Sequence, residues 1–437
     1  MKKRILSCLM ALALCLTLLP ATAQAAEGES STEPHTHSNW LGSSQTSGKL
    51  QLLVGGSQDT GGTPQNTQEN KFVLTGGNYY LKTSTEESFL DGDVKIKYPI
   101  VIQGNVTICL NGKTIQSEGE GMPVFIIEND ATLTLTDCQN NKGKVTHASG
   151  VTGSGVKVES GGTFNMYGGK ITGNKAETGG GVYVVDGTFT MNGGTISGNT
   201  ANSTDGGVGV YTTATSTTAT ATFTMNGGTI SGNTATNGGG VGVYGTGNAF
   251  ATNGSAFIMN GGAISSNTAN QGGGVYVSKS GTFEMHNSAS VTGNTASASG
   301  GGVYVNSGTF NMNGSASIKN NNAAAKSYGG GVFVKSGGTF NMNGGAISEN
   351  TANQGGGVYA SGGTFNMNGS ASITSNTVNG VYVHNNATFT VSGSPTVTGN
   401  KNASDAASNV FLAGSKTITI GGELTGSPNS IGVTRGA

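Results

Sequence analysis

The residues of this 437-residue chain that could perform acid–base or metal chemistry are few and scattered. Carboxylates in the repeated part of the chain occupy different positions of the repeat, mostly in turns: Glu159, Glu177, Asp186, Asp205, Glu284, Glu349 and Asp405. Cleavage of a polysaccharide requires carboxyl groups close together, as an acid and base pair or around a metal ion. The scatter predicts a protein without catalytic activity, and a polysaccharide lyase or glycoside hydrolase is the alternative.

Histidine side chains also lack the partners of a metal site or a catalytic triad. His35 and His37 lie in a polar segment, His286 follows Met285 where the repeat usually has asparagine, and His384 stands alone. A metal site requires several histidine, cysteine or carboxylate ligands in one place. We therefore expect neither a metal ion nor a cofactor.

Any functional site would have to be positioned by a repeating unit of three short sequence motifs, here called phrases. The phrases are Thr-Phe-Asn-Met, Ile-Ser-x-Asn and Gly-Gly-Gly-Val-Tyr, with small variations. The phenylalanine recurs at intervals of 24 to 34 residues, clustered near 25, at Phe164, Phe189, Phe223, Phe257, Phe283, Phe310, Phe340, Phe365 and Phe389. Self-similarity at a fixed period is typical of a solenoid.

Each phrase alternates as a β-strand does, and none has the period of a helix. Phe365 and Met367 share one face of their strand, and Val182 and Val184 lie opposite Tyr183 on theirs. Three such strands per turn, apolar inside and polar outside, predict an all-β fold. We expect a right-handed, three-sided parallel β-helix with roughly 25 residues per coil.

Equivalent residues of successive coils should stack into ladders. One predicted ladder consists of asparagines at the corner after the middle strand, whose amides can hydrogen-bond along the stack. Its members are Asn174, Asn199, Asn233, Asn267, Asn294, Asn321, Asn350, Asn376 and Asn400. Like charges would repel each other in such a stack, which explains the low content of charged residues, 10%.

A second ladder carries the predicted binding site. The outward position of the third strand is aromatic at Tyr183, Tyr276, Tyr304, Phe333, Tyr359 and Tyr382. Exposed aromatic rings can stack on sugars or anchor a protein partner. The alternative is a ladder that stacks only on itself and stiffens the coil.

Two insertions extend the same side of the predicted solenoid. Residues 212–221 and 246–256 are inserted at the same corner of consecutive coils, and Tyr211, Tyr244 and Phe250 flank or occupy them. Insertions on one face of a solenoid often belong to a binding surface. Insertions that the fold merely tolerates are the alternative.

The first residues have the pattern of a secretory signal peptide. A basic start, an apolar stretch over residues 5–19 and an Ala-x-Ala site predict cleavage after Ala25 or Ala26. We assign residues 1–26 to the signal, 27–70 to a flexible linker, 71–152 to degenerate coils or a cap, and 153–437 to regular coils with a C-terminal cap. The expected product is secreted or bound to the cell surface, with no membrane span after cleavage.

The composition of the chain argues against one class of binding partner. The net charge is −1 and basic residues do not cluster, which argues against nucleic acid. Carbohydrate or a surface protein of host or neighbouring cells is the expected partner.

Cys109 and Cys138 would remain after signal cleavage, about one repeat apart, and either a disulfide between coils or two small buried side chains is compatible with that spacing.

The phrase Ile-Ser-Gly-Asn-Thr-Ala at residues 196–201, combined with Gly-Gly-Gly-Val-Tyr, resembles the paired repeats of chlamydial polymorphic outer-membrane proteins. It is also similar to β-helix repeats of bacterial surface proteins in the pectate-lyase-like superfamily. The likeness covers roughly residues 95 to 420, with GGGV in place of the family's GGA and IxxN in place of most FxxN. It implies adhesion or surface display and brings no catalytic residues. A passive surface stalk is the remaining alternative.

Overall fold

The chain folds into a parallel β-solenoid of about 12 turns with about 27 residues per turn. A computed structural model describes residues 72–74, 77–80, 93–202, 207, 209–215, 219–246, 254–384, 386–426 and 430–435. The described residues form strands and turns, without a helix. The all-β solenoid prediction is confirmed. The mean turn is longer than the predicted 25 residues, in part because two intervals of the repeat reach 34 residues where residues 212–221 and 246–256 are inserted.

Three long sheets make up the sides of the solenoid, and each contains one strand from nearly every coil. The first sheet, built from the Thr-Phe-Asn-Met phrases, has 13 strands: Gly77–Tyr80, Asn105–Cys109, Thr132–Thr136, Thr163–Met166, Thr188–Met191, Ala221–Met225, Ser255–Met259, Thr282–Met285, Thr309–Met312, Thr339–Met342, Thr364–Met367, Thr388–Gly393 and Ile418–Leu424.

The second sheet contains the short strands centred on isoleucine or valine. Its 12 strands are Val94–Ile96, Thr114–Ser117, Lys144–His147, Lys170–Thr172, Thr195–Ser197, Thr229–Ser231, Ala263–Ser265, Ser290–Thr292, Ser317–Lys319, Ala346–Ser348, Ser372–Thr374 and Thr396–Thr398.

The third sheet contains the Val-Tyr-Val strands. Its 14 strands are Phe72–Leu74, Ile100–Ile102, Phe125–Ile127, Val156–Val158, Val182–Val185, Val210–Thr213, Val241–Tyr244, Val275–Ser278, Val303–Asn306, Val332–Lys335, Val358–Ser361, Val381–Val383, Val410–Leu412 and Val433–Arg435. Two small sheets lie between the second and third along the chain, with strands Lys175–Ala176 and Thr200–Ala201, and Thr268–Gln271, Thr295–Ser299 and Asn322–Ala323.

Identical residues pair in register between coils, so the core is a set of stacks. Thr339 pairs with Thr364 and Phe340 with Phe365. The rings of Phe340 and Phe365 lie 5.0 Å apart between centroids and are almost parallel, at 7°. This distance is close to the ordinary spacing of strands, about 4.8 Å. Stacking therefore follows from the pairing without any distortion, and all nine phenylalanines of the repeat are buried.

The nine predicted asparagines form one buried ladder. Every Nδ2 from Asn174 to Asn376 donates to Oδ1 of the next asparagine at 2.9 to 3.0 Å. A second hydrogen bond from the same Nδ2 reaches a main-chain carbonyl of the preceding coil, as from Asn294 to Ile264 at 3.0 Å. Because every amide donor and acceptor finds a partner, a polar side chain can occupy this corner of the core.

Two residues outside the repeat pattern end this ladder. At one end His147 Nδ1 lies 2.7 Å from Asn174 Oδ1, and its Nε2 lies 2.9 Å from the carbonyl oxygen of Met122. At the other end Asn400 donates from its main-chain nitrogen and its Nδ2 to Asn409 Oδ1, at 3.0 and 3.2 Å. The terminal amide groups of the ladder are therefore hydrogen-bonded as well.

The coils of residues 93–152 belong to the same three sheets as the regular repeats. The predicted signal peptide of residues 1–26 and the predicted linker of 27–70 lie outside the described residues, as does Phe250. Within the described part of the chain, no helix could cross a membrane.

Candidate functional site

The outward side of the third sheet carries a continuous stack of aromatic rings, here called the aromatic strip. The distance between neighbouring ring centroids is 4.9 to 5.4 Å throughout. Its members are Tyr183, Tyr211, Tyr244, Tyr276, Tyr304, Phe333, Tyr359, Tyr382 and Phe411. The strip thus includes all the predicted aromatic residues within the described part of the chain, and Phe411 extends it.

The prediction that the strip is exposed is wrong. The six rings from Tyr211 to Tyr359 expose only 2 to 8% of their surface, and Tyr183 and Tyr382 are half-buried. Each ring covers the faces of its neighbours, and the glycines before the strand lie against the base of the ring. A β-carbon placed on Gly355 would come within 2.8 Å of Tyr359 Cβ. The ring faces are therefore inaccessible to a sugar, and the structure favours the self-stacking alternative.

Tyr244 belongs to the strip although it is out of register with it. The residue paired with Tyr211 and Tyr276 is Gly242, which has no side chain. Tyr244, two residues later on the same strand, fills the gap, and its ring lies 5.0 Å from Tyr211 and 5.4 Å from Tyr276. The sequence places Tyr244 beside an insertion, whereas the structure shows that it completes the stack.

Burial raises the pKa of four tyrosines of the strip. It raises the pKa of Tyr304 and Tyr359 well above the ordinary value, and neighbouring phenols raise both further. The pKa values of Tyr183 and Tyr382 are raised mainly for the same reason. These four side chains therefore stay neutral phenols, able to donate a hydrogen bond, through the physiological range.

Tyr328 lies at the edge of the strip and is exposed, with 36% of its surface accessible. The centroid of its ring is 4.8 Å from that of Tyr359. It precedes three glycines at a position where other coils have a polar residue, such as Gln271, Ser299 or Gln354. The sequence analysis did not identify Tyr328. The feature that could have revealed it is an aromatic residue at a repeat position that is polar in the neighbouring coils.

The carboxylates do not converge. Asp186 accepts a hydrogen bond from the main-chain nitrogen of Thr215 at 2.7 Å and so holds the next coil's loop. Four other carboxylates each lie close to a lysine or histidine side chain, in pairs that solvent can reach: Lys157–Glu159, Glu284–His286, Lys319–Glu349 and Lys401–Asp405. Across the described ranges, no three His, Cys, Asp or Glu side chains are close enough to hold a metal ion. Asp205 lies outside those ranges.

Cys109 and Cys138 lie side by side on neighbouring turns. Their Sγ atoms are 3.4 Å apart, and the Cys109 thiol donates to Cys138. A disulfide bond is about 2.05 Å long, so the structure shows a pair of thiols in contact. Burial raises the pKa of Cys109 to about 12. Both alternatives from the sequence remain compatible with this geometry, and the disulfide stays a prediction.

The outward face of the first sheet carries amide and hydroxyl side chains. Asn366 Nδ2 donates to Asn341 Oδ1 at 2.8 Å, and Asn341 donates to Asn311 at 2.9 Å. A parallel outer row joins Asn368 to Asn343 at 3.0 Å. These groups can both donate and accept hydrogen bonds, and they lie on a nearly uncharged surface.

No protein-family model, curated protein or solved structure matches this chain.

Proposed function

We propose that the chain is an exported, non-catalytic scaffold that binds carbohydrate or a surface protein on host or neighbouring cells. One observation supports the proposal most: the outer faces are regular, nearly uncharged rows of amide and hydroxyl groups on a rigid solenoid. Sugar hydroxyls donate and accept hydrogen bonds, and amides do the same, so such a surface matches a neutral glycan. The scattered carboxylates are consistent with this proposal.

The resemblance of the repeats to bacterial surface proteins supports the same proposal. Repeats similar to those of chlamydial polymorphic outer-membrane proteins, or of the pectate-lyase-like superfamily, would place the chain at a bacterial surface, anchored or secreted. The N-terminal pattern that ends near Ala25 would direct it there.

A passive surface stalk is the second candidate. Burial of the aromatic strip favours it, because the rings that could have bound a partner are used to stiffen the coil. A stalk needs rigidity and length, and the continuous stacks supply both. The lyase or hydrolase alternative has no comparable support among the described residues.

Binding by the whole chain decides between the scaffold and the stalk. We expect the purified protein to bind members of a glycan array, and to bind cells. Treating the cells with protease and, separately, with glycosidase identifies the partner class, since only the treatment that removes the partner abolishes binding. Absence of binding in all formats would leave the stalk. Release of sugar products from any polysaccharide incubated with the protein would refute the non-catalytic proposal.

A further inference from the structure

The fold does not require an aromatic residue at position 328, because the equivalent residues of the neighbouring coils are polar. The main chain of Tyr328 pairs with Ser299 on one side and with Gln354 on the other, and both are polar. The chain before it makes an extra turn, in which Ser327 donates its main-chain hydrogen to Ala324 at 2.9 Å. A polar side chain would satisfy the fold at this position. The pairing of the main chain therefore does not by itself require an aromatic ring here.

The ring of Tyr328 rests on a rigid support. It lies 4.8 Å from Tyr359, at a tilt of 30°. Tyr359 is itself held in the strip between Phe333 at 5.4 Å and Tyr382 at 4.9 Å. A ring fixed in this way loses little conformational entropy when a ligand binds, which favours affinity.

Residues with polar groups suited to sugar hydroxyls adjoin Tyr328 on the neighbouring coils. The phenol of Tyr328 lies close enough to those of Tyr359 and Tyr382 to contribute to the raised pKa of both, after the larger effect of burial. Asn353, which is exposed, and Gln354 carry amides on the next coil, and the main-chain nitrogen of Asn353 donates to Ser327 at 2.9 Å. Phenols and amides both donate and accept hydrogen bonds.

The geometry points to Tyr328 as the stacking residue of a binding site for a pyranose ring of a neutral glycan, with Tyr382, Asn353 and Gln354 beside it. The apolar face of a sugar packs on an aromatic ring while its hydroxyls bond to polar groups around the edge. The net charge of the chain is only −1, and exposed Lys326 is the single charged residue between Lys319 and Lys335, so the sparse charge around Tyr328 favours a neutral ligand. This inference names the site of the carbohydrate binding proposed above and rests on it.

Affinity electrophoresis of the whole chain through gels that contain a soluble glucan, mannan or galactan tests the site. At least one polymer should retard the protein. Replacement of the ring by alanine, Tyr328→Ala, should weaken retardation about tenfold, the size expected for loss of one aromatic stacking contact. Tyr328→Phe should retain most of the binding because the ring remains.

Tyr167→Ala is the matched control, because Tyr167 is 38% exposed but follows a strand of the first sheet. It should bind as the unaltered protein does. Tyr328→Gln restores the polar residue of this repeat position and checks that lost binding does not reflect unfolding. Equal effects of Tyr328→Ala and Tyr167→Ala would overturn the site while leaving the binding function. Binding on the glycan array to acidic glycans alone would overturn the neutral ligand, and no binding in any assay would overturn both proposals.

Discussion

A buried asparagine stabilises this fold because the residues above and below it are asparagines too. Asn294 Oδ1 accepts from the main-chain nitrogen of Asn267 at 2.9 Å and from its Nδ2 at 3.0 Å. Its Nδ2 donates to Ile264 and to Asn321, each at 3.0 Å. One side chain thus provides partners for groups on two neighbouring coils. Removal of any member leaves several buried groups without partners.

Asn294→Ala should therefore lower the free energy of unfolding strongly, by about 3 kcal/mol or more, since each buried group left unpaired costs about 1–3 kcal/mol. Urea denaturation followed by circular dichroism measures the loss. The control is Asn341→Ala in the half-buried row of Asn311, Asn341 and Asn366 on the first sheet, where water can replace the lost amide and the cost should stay below about 1 kcal/mol. Similar losses for the two variants would show that the buried ladder has no special role.

At the scale of the element, the aromatic strip shows that stacking and exposure are separate properties. Alternation along the strand directs Tyr304 away from the core, beside Val303 and Val305, which point inward. The rings of Tyr276 and Phe333 and the preceding Gly300 then cover Tyr304, leaving 3% of its surface accessible. The strip is in effect a second, smaller apolar cluster outside the solenoid wall. It is expected to contribute stability and to respond to pH.

Alkaline solution should weaken the fold through this strip. Burial raises the pKa of Tyr304 and Tyr359 above the ordinary value of 10.0, so the unfolded chain loses these protons first as the pH rises. The stability contributed by the neutral phenols is complete below that value and is lost as the pH rises above it. The free energy of unfolding should fall in this range, and the tyrosinate absorbance that comes from these buried phenols should appear late, together with unfolding.

Tyr304→Phe is the control for this effect. Phe333 already occupies the strip, so a phenylalanine ring fits the stack. The variant has one fewer ionisable phenol and should lose less stability than the unaltered protein over the same pH range. An equal loss in both proteins would contradict the assignment to the strip.

At the scale of the whole molecule, the solenoid is a sum of coils that contact only their neighbours. Such a molecule should tolerate loss of a complete coil, because the flanking ladders can rejoin in register. Thr339 and Thr364 are register partners 25 residues apart, each preceded by two glycines. Deletion of residues 339–363 would therefore join equivalent positions.

We expect the chain without residues 339–363 to keep the β-type circular dichroism spectrum per residue and to unfold cooperatively at a modestly lower urea concentration. Deletion of residues 339–350 alone is the matched contrast, since it removes Phe340, Met342 and Ile347 and ends the stacks in mid-coil. That variant should be far less stable or insoluble. If both deletions behaved alike, coil-by-coil assembly would be refuted.

Much of this architecture could be predicted because its determinants are local and repeated. The alternation in Thr364–Met367 shows which side chains point inward, and the repeat period shows that equivalent residues stack. The asparagine corner followed in the same way, since an amide beside its own copy can always hydrogen-bond to it. None of these inferences required knowledge of contacts between unlike parts of the chain.

The sequence by itself thus determined the strands, their inward faces and the ladders, because neighbouring coils repeat one another. Tertiary structure alone decided which outward residues meet solvent. Tyr359 is buried and Tyr328 exposed although both lie outside the core, because glycine turns and adjacent coils cover the first and not the second. It also placed His147 and Asn409 at the ends of the asparagine ladder. Such contacts join residues that differ in repeat position, and no periodicity in the sequence reveals them.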